Sequence, residues 1–398
     1  MLERISIRNF KSLGEVRDLT LPRLAVLFGP NAAGKSNVLD AIQALSRIGT
    51  HRTLSDALQE PIRGYPIEAF SFPPGGLSAL LSQKTSSFEL DAVLRIEKDA
   101  FEYRVRVRID AESGSLAVDD EYLALLTTAG TPRGSALIQG MDGELHIRRK
   151  SKPAHPRHEP RGLNHSLLSD PRLGGLEYRG MERCRNELLR WRTYYLDPRV
   201  AMRRAAPPAE VNDIGVLGDN IAPFLYRLRA ERPKEFGAVV RTLRTLIPSV
   251  EDLAVDLDKR RGTLDIVVRQ NNVEYSSRII SEGTLRVLAL CAIAVNPWGG
   301  SLVAFEEPEN GVHPRRLELI ADLLVALALE QDRQVVVTTH SPLFCSAIFK
   351  RQREHPGDLG LYRVSQGPSG TEVRRFDIPG PLFEDTEILE STEFPPIS

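Results

Sequence analysis

Residues 29–37 read Gly-Pro-Asn-Ala-Ala-Gly-Lys-Ser-Asn, and the first eight fit the pattern G-x-x-x-x-G-K-[ST]. The chemistry such a loop can do is to hold phosphate. Its glycines let the backbone turn tightly, so that successive N–H groups face the α and β phosphates of a nucleotide, and the helix that follows adds its positive N-terminal dipole. Asn31, Ala32, Ala33, Gly34, Lys35, Ser36 and Asn37 form the candidate binding segment, with Lys35 placed to neutralise the β and γ phosphates and Ser36 to offer its hydroxyl to Mg2+. The competing reading is an ordinary glycine turn.

Three further segments carry chemistry. Residues 302–308, Leu-Val-Ala-Phe-Glu-Glu-Pro, are an apolar run closed by two adjacent carboxylates. Beside a phosphate loop, Glu306 is the candidate metal partner and Glu307 the candidate general base that orients the attacking water. By itself such a pair is a solvated turn. Residues 338–341, Thr-Thr-His-Ser, follow another apolar run, and His340 is placed to meet the γ phosphate or the catalytic water; a lone histidine is otherwise structural. Residues 280–286, Ile-Ser-Glu-Gly-Thr-Leu-Arg, put a serine and a glycine at the start of a helical pattern, where free N–H groups and a hydroxyl suit a γ phosphate, and where Ser281 could equally be a plain N-cap.

These residues need strands and helices to present them. Residues 24–28 are a continuous apolar run, as a buried strand would be, and Val38, Leu39, Ala41, Ile42 and Leu45 recur at helical spacing after the loop. Residues 2–7 alternate and lead to a turn expected near Gly14. Strict alternation between Phe88 and Ile109 predicts a β-hairpin, and a second one is expected over residues 253–275. Helical periodicity covers residues 221–247, 283–295 and 315–330, with buried strands at 302–305 and 334–338. Strands alternating with helices signal an α/β fold with parallel sheet. Residues 151–162, rich in Pro, His and Arg, read as an exposed loop.

At 398 residues and 41% hydrophobic content the chain can bury a sizeable core. A formal net charge of −1 excludes coating nucleic acid or membrane by bulk charge, so any such contact needs a local patch. Three cysteines without CxxC spacing argue against a disulfide framework or zinc site and fit a reducing compartment. No stretch reaches the roughly 18 apolar residues of a membrane span, so a cytoplasmic location without membrane contact is expected.

Taken together, the segments resemble an ABC-type ATPase head of the AAA_21/AAA_15 kind, related to RecF, SMC and the ATPase half of OLD proteins. The resemblance rests on Ile5, Ile7, Asn9, Phe10, Lys11 and Ser12, on the loop ending Gly-Lys-Ser-Asn, on 281–286, on Glu-Glu-Pro-Glu-Asn-Gly-Val-His-Pro at 306–314 and on Thr-Thr-His-Ser-Pro at 338–342. It covers both ends of the chain closely and the middle poorly. It implies ATP and Mg2+ as cofactors, a P-loop NTPase fold with a mixed core sheet, an antiparallel β lobe and a helical insertion lobe, and slots for residues 1–110, 111–250 (the insertion or lid) and 251–398. It further implies a homodimer in which Ser281, Glu282, Gly283 and Thr284 of one subunit close the site built on Lys35 of the other, with Asn310 and His313 in the loop crossing that interface. Ala32 stands where a glycine is frequent, and Glu306 where aspartate is usual. The glutamine that touches magnesium in such heads is taken as Gln83 rather than Gln139.

No heptad pattern supports a long coiled-coil tether, and the tail after His340, ending in the acidic stretch 384–396, is expected to lack a nuclease domain. The expected output is therefore binding. One reading is a regulator in anti-phage defence that acts on a separate effector, a nuclease or toxin. The others are a RecF-like clamp on double-stranded DNA and an ATP-stabilised scaffold, with oligomers above the dimer left open. Arg148, Arg149, Lys150 and Lys152, with Arg157 and Arg161, form one candidate nucleic-acid patch, and Arg190, Arg192, Arg199, Arg203 and Arg204 a second. Both could equally be solvated or core-flanking charges.

Overall fold

The computed structural model describes residues 1–367 and 370–376; the acidic stretch 384–396 lies outside the described residues. Strands β1 (Leu2–Phe10) and β2 (Leu13–Thr20) are followed by β3 (Leu24–Phe28) and helix α1 (Lys35–Ile48). Short helices α2 (Leu54–Leu58) and α3 (Gly76–Leu81) lead to three long strands, β4 (Thr85–Ile96), β5 (Asp99–Asp110) and β6 (Leu116–Leu126). Next come β7 (Ile138–Met141), β8 (Glu144–Ile147), β9 (Arg157–Pro160), α4 (Arg179–Leu188) and β10 (Trp191–Tyr194). Helices α5 (Ile221–Glu231) and α6 (Pro233–Leu246) precede β11 (Val250–Asp258), β12 (Thr263–Gln270) and β13 (Val273–Ser276). The last third runs α7 (Glu282–Val295), β14 (Leu302–Glu306), α8 (Leu317–Leu329), β15 (Gln334–Thr339), α9 (Pro342–Glu354), β16 (Leu359–Gly367) and β17 (Gly370–Arg375).

The chain divides into two compact units. The first comprises Met1–Pro22, Gly29–Trp191 and Tyr362–Phe376. Its main sheet is antiparallel, in the order β2-β1-β4-β5-β6-β7-β8-β9. Along β5 the side chains of Tyr103, Val105, Val107 and Ile109 are buried while Arg106 and Arg108 are exposed, the period-two pattern of a sheet with one wet face. Phe10 and Phe70 both pack on Phe88, with ring centroids 5.3 and 5.0 Å away. Burying such a side chain contributes about 1.5–3 kcal/mol. A buried carboxylate, Glu121, accepts hydrogen bonds from the Leu167 and Leu168 N–H groups at 2.7 and 3.1 Å and from Ser166 at 2.6 Å, tying a long loop to β6. Burial raises the Glu121 carboxyl above its ordinary range.

The second unit contains Arg23–Phe28 and Arg192–Leu361. Here β14, β15 and β3 run parallel, with Phe305 opposite Val337 and Val337 opposite Val26. β3 and β15 are buried along their whole length, as the continuous apolar runs require of strands covered on both faces. Parallel direction brings the carboxyl ends of all three strands to one edge, the usual ligand-binding edge of such sheets. Glu306 ends β14, Thr339 ends β15, and the phosphate loop begins one residue after Phe28.

The observed elements depart from the sequence reading in five places, one being residues 253–275, expected as a single hairpin, which run through three antiparallel strands, β11 to β13. The first turn falls at Lys11–Ser12, with Gly14 inside β2, because Asn9 and Lys11 supply the left-handed backbone at φ 55° and 50°. Residues 111–250, expected as a helical or irregular lobe, carry β6 to β10 as well as α4 to α6: β6 pairs with β5 along its length and extends the antiparallel sheet. The expected exposed loop at 151–162 holds strand β9, which pairs with β8. The helical stretch 221–247 breaks into two helices where Pro233, at the first position of α6, cannot donate a backbone hydrogen bond. Among the described residues no helix is long and apolar enough to cross a membrane.

Candidate functional site

In the first unit the phosphate loop is held by close contacts that leave no room for a side chain at its two glycines. A Cβ on Gly29 would sit 2.1 Å from the Val364 carbonyl oxygen, and one on Gly34, whose φ is +99°, 2.2 Å from Thr371 Oγ1. Ala32 also takes a left-handed conformation, at φ 62°, a backbone that glycine adopts freely and that costs an L-residue about 1–2 kcal/mol. Lys35 is buried, its ammonium donating to the Gly29 and Pro30 carbonyls at 2.9 Å each. Gly34 precedes α1 without a side-chain cap, and no acidic residue occupies the first turn. No side chain there competes with an anion for the positive end of the α1 dipole. Asn31 and Ala32 are exposed, Ala33 is buried, and Ser36 and Asn37 are half-buried.

Several supports of this loop come from far along the chain and were missed in the sequence. Thr371 of β17 donates to the Ala33 carbonyl at 3.0 Å and contacts Ser12 Oγ at 2.7 Å, while Gln366 of β16 donates to the Ala32 carbonyl at 3.0 Å. Asn37 donates to Ser12 at 2.7 Å, and Lys11 pairs with the buried Asp40 of α1 at 2.5 Å. Burial lowers the Lys11 pKa, opposed by the Asp40 charge. The Lys11-Ser12 pair thus braces α1 and the loop. A cavity of about 470 Å³ opens beside them, lined by Lys11, Ser12, Arg63, Phe70 and Phe72 among others.

In the second unit the strand ends bring two predicted residues together. His340 Nδ1 lies 2.9 Å from Glu307 Oε1. Glu307 takes a left-handed backbone at φ 47°, and its N–H donates to the Thr338 carbonyl at 3.0 Å, so the sheet holds its side chain out from the end of β14. Glu306 is half-buried at the last position of that strand. A neighbour the sequence reading passed over is Glu309, which is buried, accepts a hydrogen bond from Thr339 Oγ1 through one oxygen and leaves the other, Oε2, buried without a partner among the described residues. Burial pushes its carboxyl up from 4.5 to about 7.

That shift has a definite sign. Between about pH 4.5 and 7 the folded protein holds a proton on Glu309 that the unfolded chain has released, so stability falls as pH rises through this window. Glu309→Gln removes the loss. Urea unfolding at pH 8 is expected to find the variant more stable than the wild type by an amount on the order of 3 kcal/mol, with little difference near pH 4.5. Equal stability of the two proteins at pH 8 would show that Glu309 is not held protonated.

Segment 281–286 also takes shape in this unit. Ser281 caps α7, accepting a hydrogen bond from the Thr284 N–H at 3.1 Å. Glu282 and Gly283 form the first turn, and Thr284 is buried. A Cβ on Gly283 would lie 2.1 Å from the Gly311 carbonyl oxygen, so the start of α7 touches the loop that carries Asn310 and His313. Both of those side chains are exposed, and His313 caps the short turn 314–316. Arg286, half-buried on α7, has its pKa lowered by burial while the Glu307, Glu282, Asp197 and Glu306 charges oppose that effect.

Part of the second basic cluster is structural. Arg203 donates to the Pro198, Ser277 and Ile280 carbonyls, each at 2.7 Å, and Arg199 pairs with Glu282 at 2.9 Å. Arg203→Met keeps the aliphatic stem and frees the turn before Ser281. It is expected to cost about 1.5–3 kcal/mol, the worth of charged hydrogen bonds, and to raise amide exchange at residues 277–281; unchanged exchange there would remove Arg203 as the clamp.

The first basic cluster divides. Arg157 pairs with Glu159, Arg161 lies 3.4 Å from Asp120, and Lys152 is exposed. Arg148, Arg149 and Lys150 instead line a cavity of about 360 Å³ together with Arg133 and Arg179. None of these five has an ion pair among the described residues. Gln83 is exposed in the turn between α3 and β4, its side chain without a hydrogen bond among the described residues. Gln139 is exposed on β7, opposite His146 of β8.

A parallel sheet with a glycine phosphate loop, paired carboxylates and a histidine at strand ends defines a P-loop ATPase head of the ABC type. The chain belongs to the AAA_21 family, described as "AAA domain, putative AbiEii toxin, Type IV TA system", whose profile matches residues 24–346. Segments are similar to the DNA replication and repair protein RecF: 46% identical over 57 residues to that of Arthrobacter sp. (strain FB24), and 31% over 140 residues to that of Paenarthrobacter aurescens (strain TC1). These matches span 14% and 31% of the respective relatives, and 14% and 35% of this chain. The fold is similar to an SMC head solved bound to the C-winged helix domain of ScpA, with a TM-score of 0.53 at 15% identity, covering 95% of this chain and 98% of that one.

Proposed function

We propose that the protein hydrolyses ATP, pairs head to head with a second copy when ATP is bound, and in that state regulates a separate effector. The observation that carries hydrolysis is the 2.9 Å contact between Glu307 and His340 at the ends of neighbouring parallel strands. In the reaction a water attacks the γ phosphorus as its proton passes to Glu307, the bond to the β-phosphate oxygen breaks, and ADP and phosphate leave. Lys35 and the N–H groups of the loop stabilise charge on the phosphates, and His340 holds Glu307 and the water in register. Mg2+, when bound, would neutralise phosphate oxygens, with Ser36 and Glu306 as its protein partners. The uncapped, acid-free start of α1 fits such a phosphate-metal group. Ser281 and Gly283, at the start of α7, would complete the partner's site, with Asn310 and His313 beside them.

The family's description as a putative toxin of a toxin–antitoxin system favours an effector-linked role in anti-phage defence. A second reading, a clamp on double-stranded DNA, draws support from the five cations around one cavity and from the partial likeness to RecF. Affinity purification of Glu307→Gln with ATP and magnesium, against Lys35→Ala, separates the two. A nuclease or toxin recovered with the trapped form alone supports the regulator; DNA enriched without a protein partner supports the clamp.

A further inference from the structure

The outer edge of the antiparallel sheet gathers three metal-ligating side chains that the nucleotide chemistry does not use. Glu144 and His146 stand two residues apart on β8, hence on one face of the sheet. The register of β8 and β9 sets His146 directly opposite His158, which puts His158 on that face too. Their rings lie 4.2 Å apart between centroids, and His158 Nδ1 is 2.9 Å from Glu144 Oε2. One ligand atom from each of the three lies within 4.8 Å of the others. Leu145 and Ile147, the residues between and after, are fully buried on the opposite face and pin this register.

We infer that Glu144, His146 and His158 form a binding site for a divalent transition metal ion, Zn2+ being the best match. Two imidazoles and one carboxylate are the ligand set that zinc takes with one position left open, and imidazole-rich sets disfavour Mg2+ and Ca2+, which take oxygen ligands. The contact between Glu144 and His158 explains itself as a hydrogen bond, but His146 has no side-chain hydrogen bond among the described residues, although its ring touches His158. A shared cation accounts for all three. Glu144 and His158 are exposed and His146 half-buried, so an ion can enter from solvent and keep water in the open position. Gln139 on β7 pairs in register with His146 and so adds an amide to the same row. The ion would clip β9, a four-residue edge strand, to β8.

The test uses the full-length protein without nucleotide, in millimolar Mg2+ to occupy oxygen-rich sites. Zn2+ is titrated by calorimetry, and Co2+ serves as an absorption probe of geometry. One Zn2+ per chain is expected, with a visible Co2+ band of four- or five-coordinate type. His146→Ala and His158→Ala should each weaken binding about tenfold or more, while Lys35→Ala should not, which separates this site from the nucleotide loop. Amide protection in β9 should rise on adding Zn2+ in the wild type and stay flat in the two histidine variants. Absence of Zn2+ binding in magnesium, or binding that both histidine variants retain, overturns the assignment.

Discussion

Glu307→Gln is expected to lower the ATP turnover number about 10²–10⁴-fold while leaving the affinity for ATP within a few-fold of the wild type. The change keeps size and hydrogen-bonding shape and removes only the ability to take a proton. Glu307 is a particularly informative position because its left-handed backbone, at φ 47°, is held by the Thr338 carbonyl and points the carboxylate toward His340. Holding a non-glycine residue there costs about 1–3 kcal/mol, which the fold must offset elsewhere. His340→Ala gives the complementary result. It should reduce turnover less than Glu307→Gln if Glu307 is the base and His340 its orienting partner, and the double variant should be no worse than Glu307→Gln alone. Phosphate release in single-turnover conditions measures all three. A Glu307→Gln protein with wild-type turnover would remove Glu307 from the chemistry.

The second large effect concerns pairing. Ser281→Arg is expected to abolish ATP-dependent dimers in analytical ultracentrifugation and to reduce turnover about tenfold or more, a change of 1.4 kcal/mol or greater. Ser281 also caps α7, so the substitution carries a local cost as well. Losing a serine cap costs about 1 kcal/mol, and Ser281→Ala carries that loss without adding bulk or charge. If Ser281→Ala still dimerises and Ser281→Arg does not, the interface reading holds; dimers in both dismiss it. Gly283 offers an independent handle. Its absent Cβ is what lets the Gly311 carbonyl approach α7, so Gly283→Ala is expected to displace the loop bearing Asn310 and His313 and to cost about 1–3 kcal/mol through overpacking.

Wherever the chemistry is written in consecutive residues, the sequence alone determined it. The phosphate loop, the carboxylate pair closing residues 302–307 and the histidine after 334–339 are each contiguous, and each follows an apolar run that only a doubly covered strand would carry. The α/β class, the hairpin between Phe88 and Ile109 and the family likeness all rest on such local patterns. Tertiary structure decided what depends on residues distant in the chain. Thr371 supports Ala33 across 338 positions, and Asp40 is joined by Lys11 and Arg63 from two separate segments. Neither partner has a spacing that periodicity could detect. Strands β7, β8 and β9 are only four residues long each, too short for alternation to stand out from a loop. Their pairing places Glu144, His146 and His158 on one face, and pairing is a property of neighbours in space. Glu309 makes the same point: an acidic residue in a Pro- and Gly-flanked turn reads as solvated, and only its burial raises its proton affinity, against the opposing hydrogen bond from Thr339.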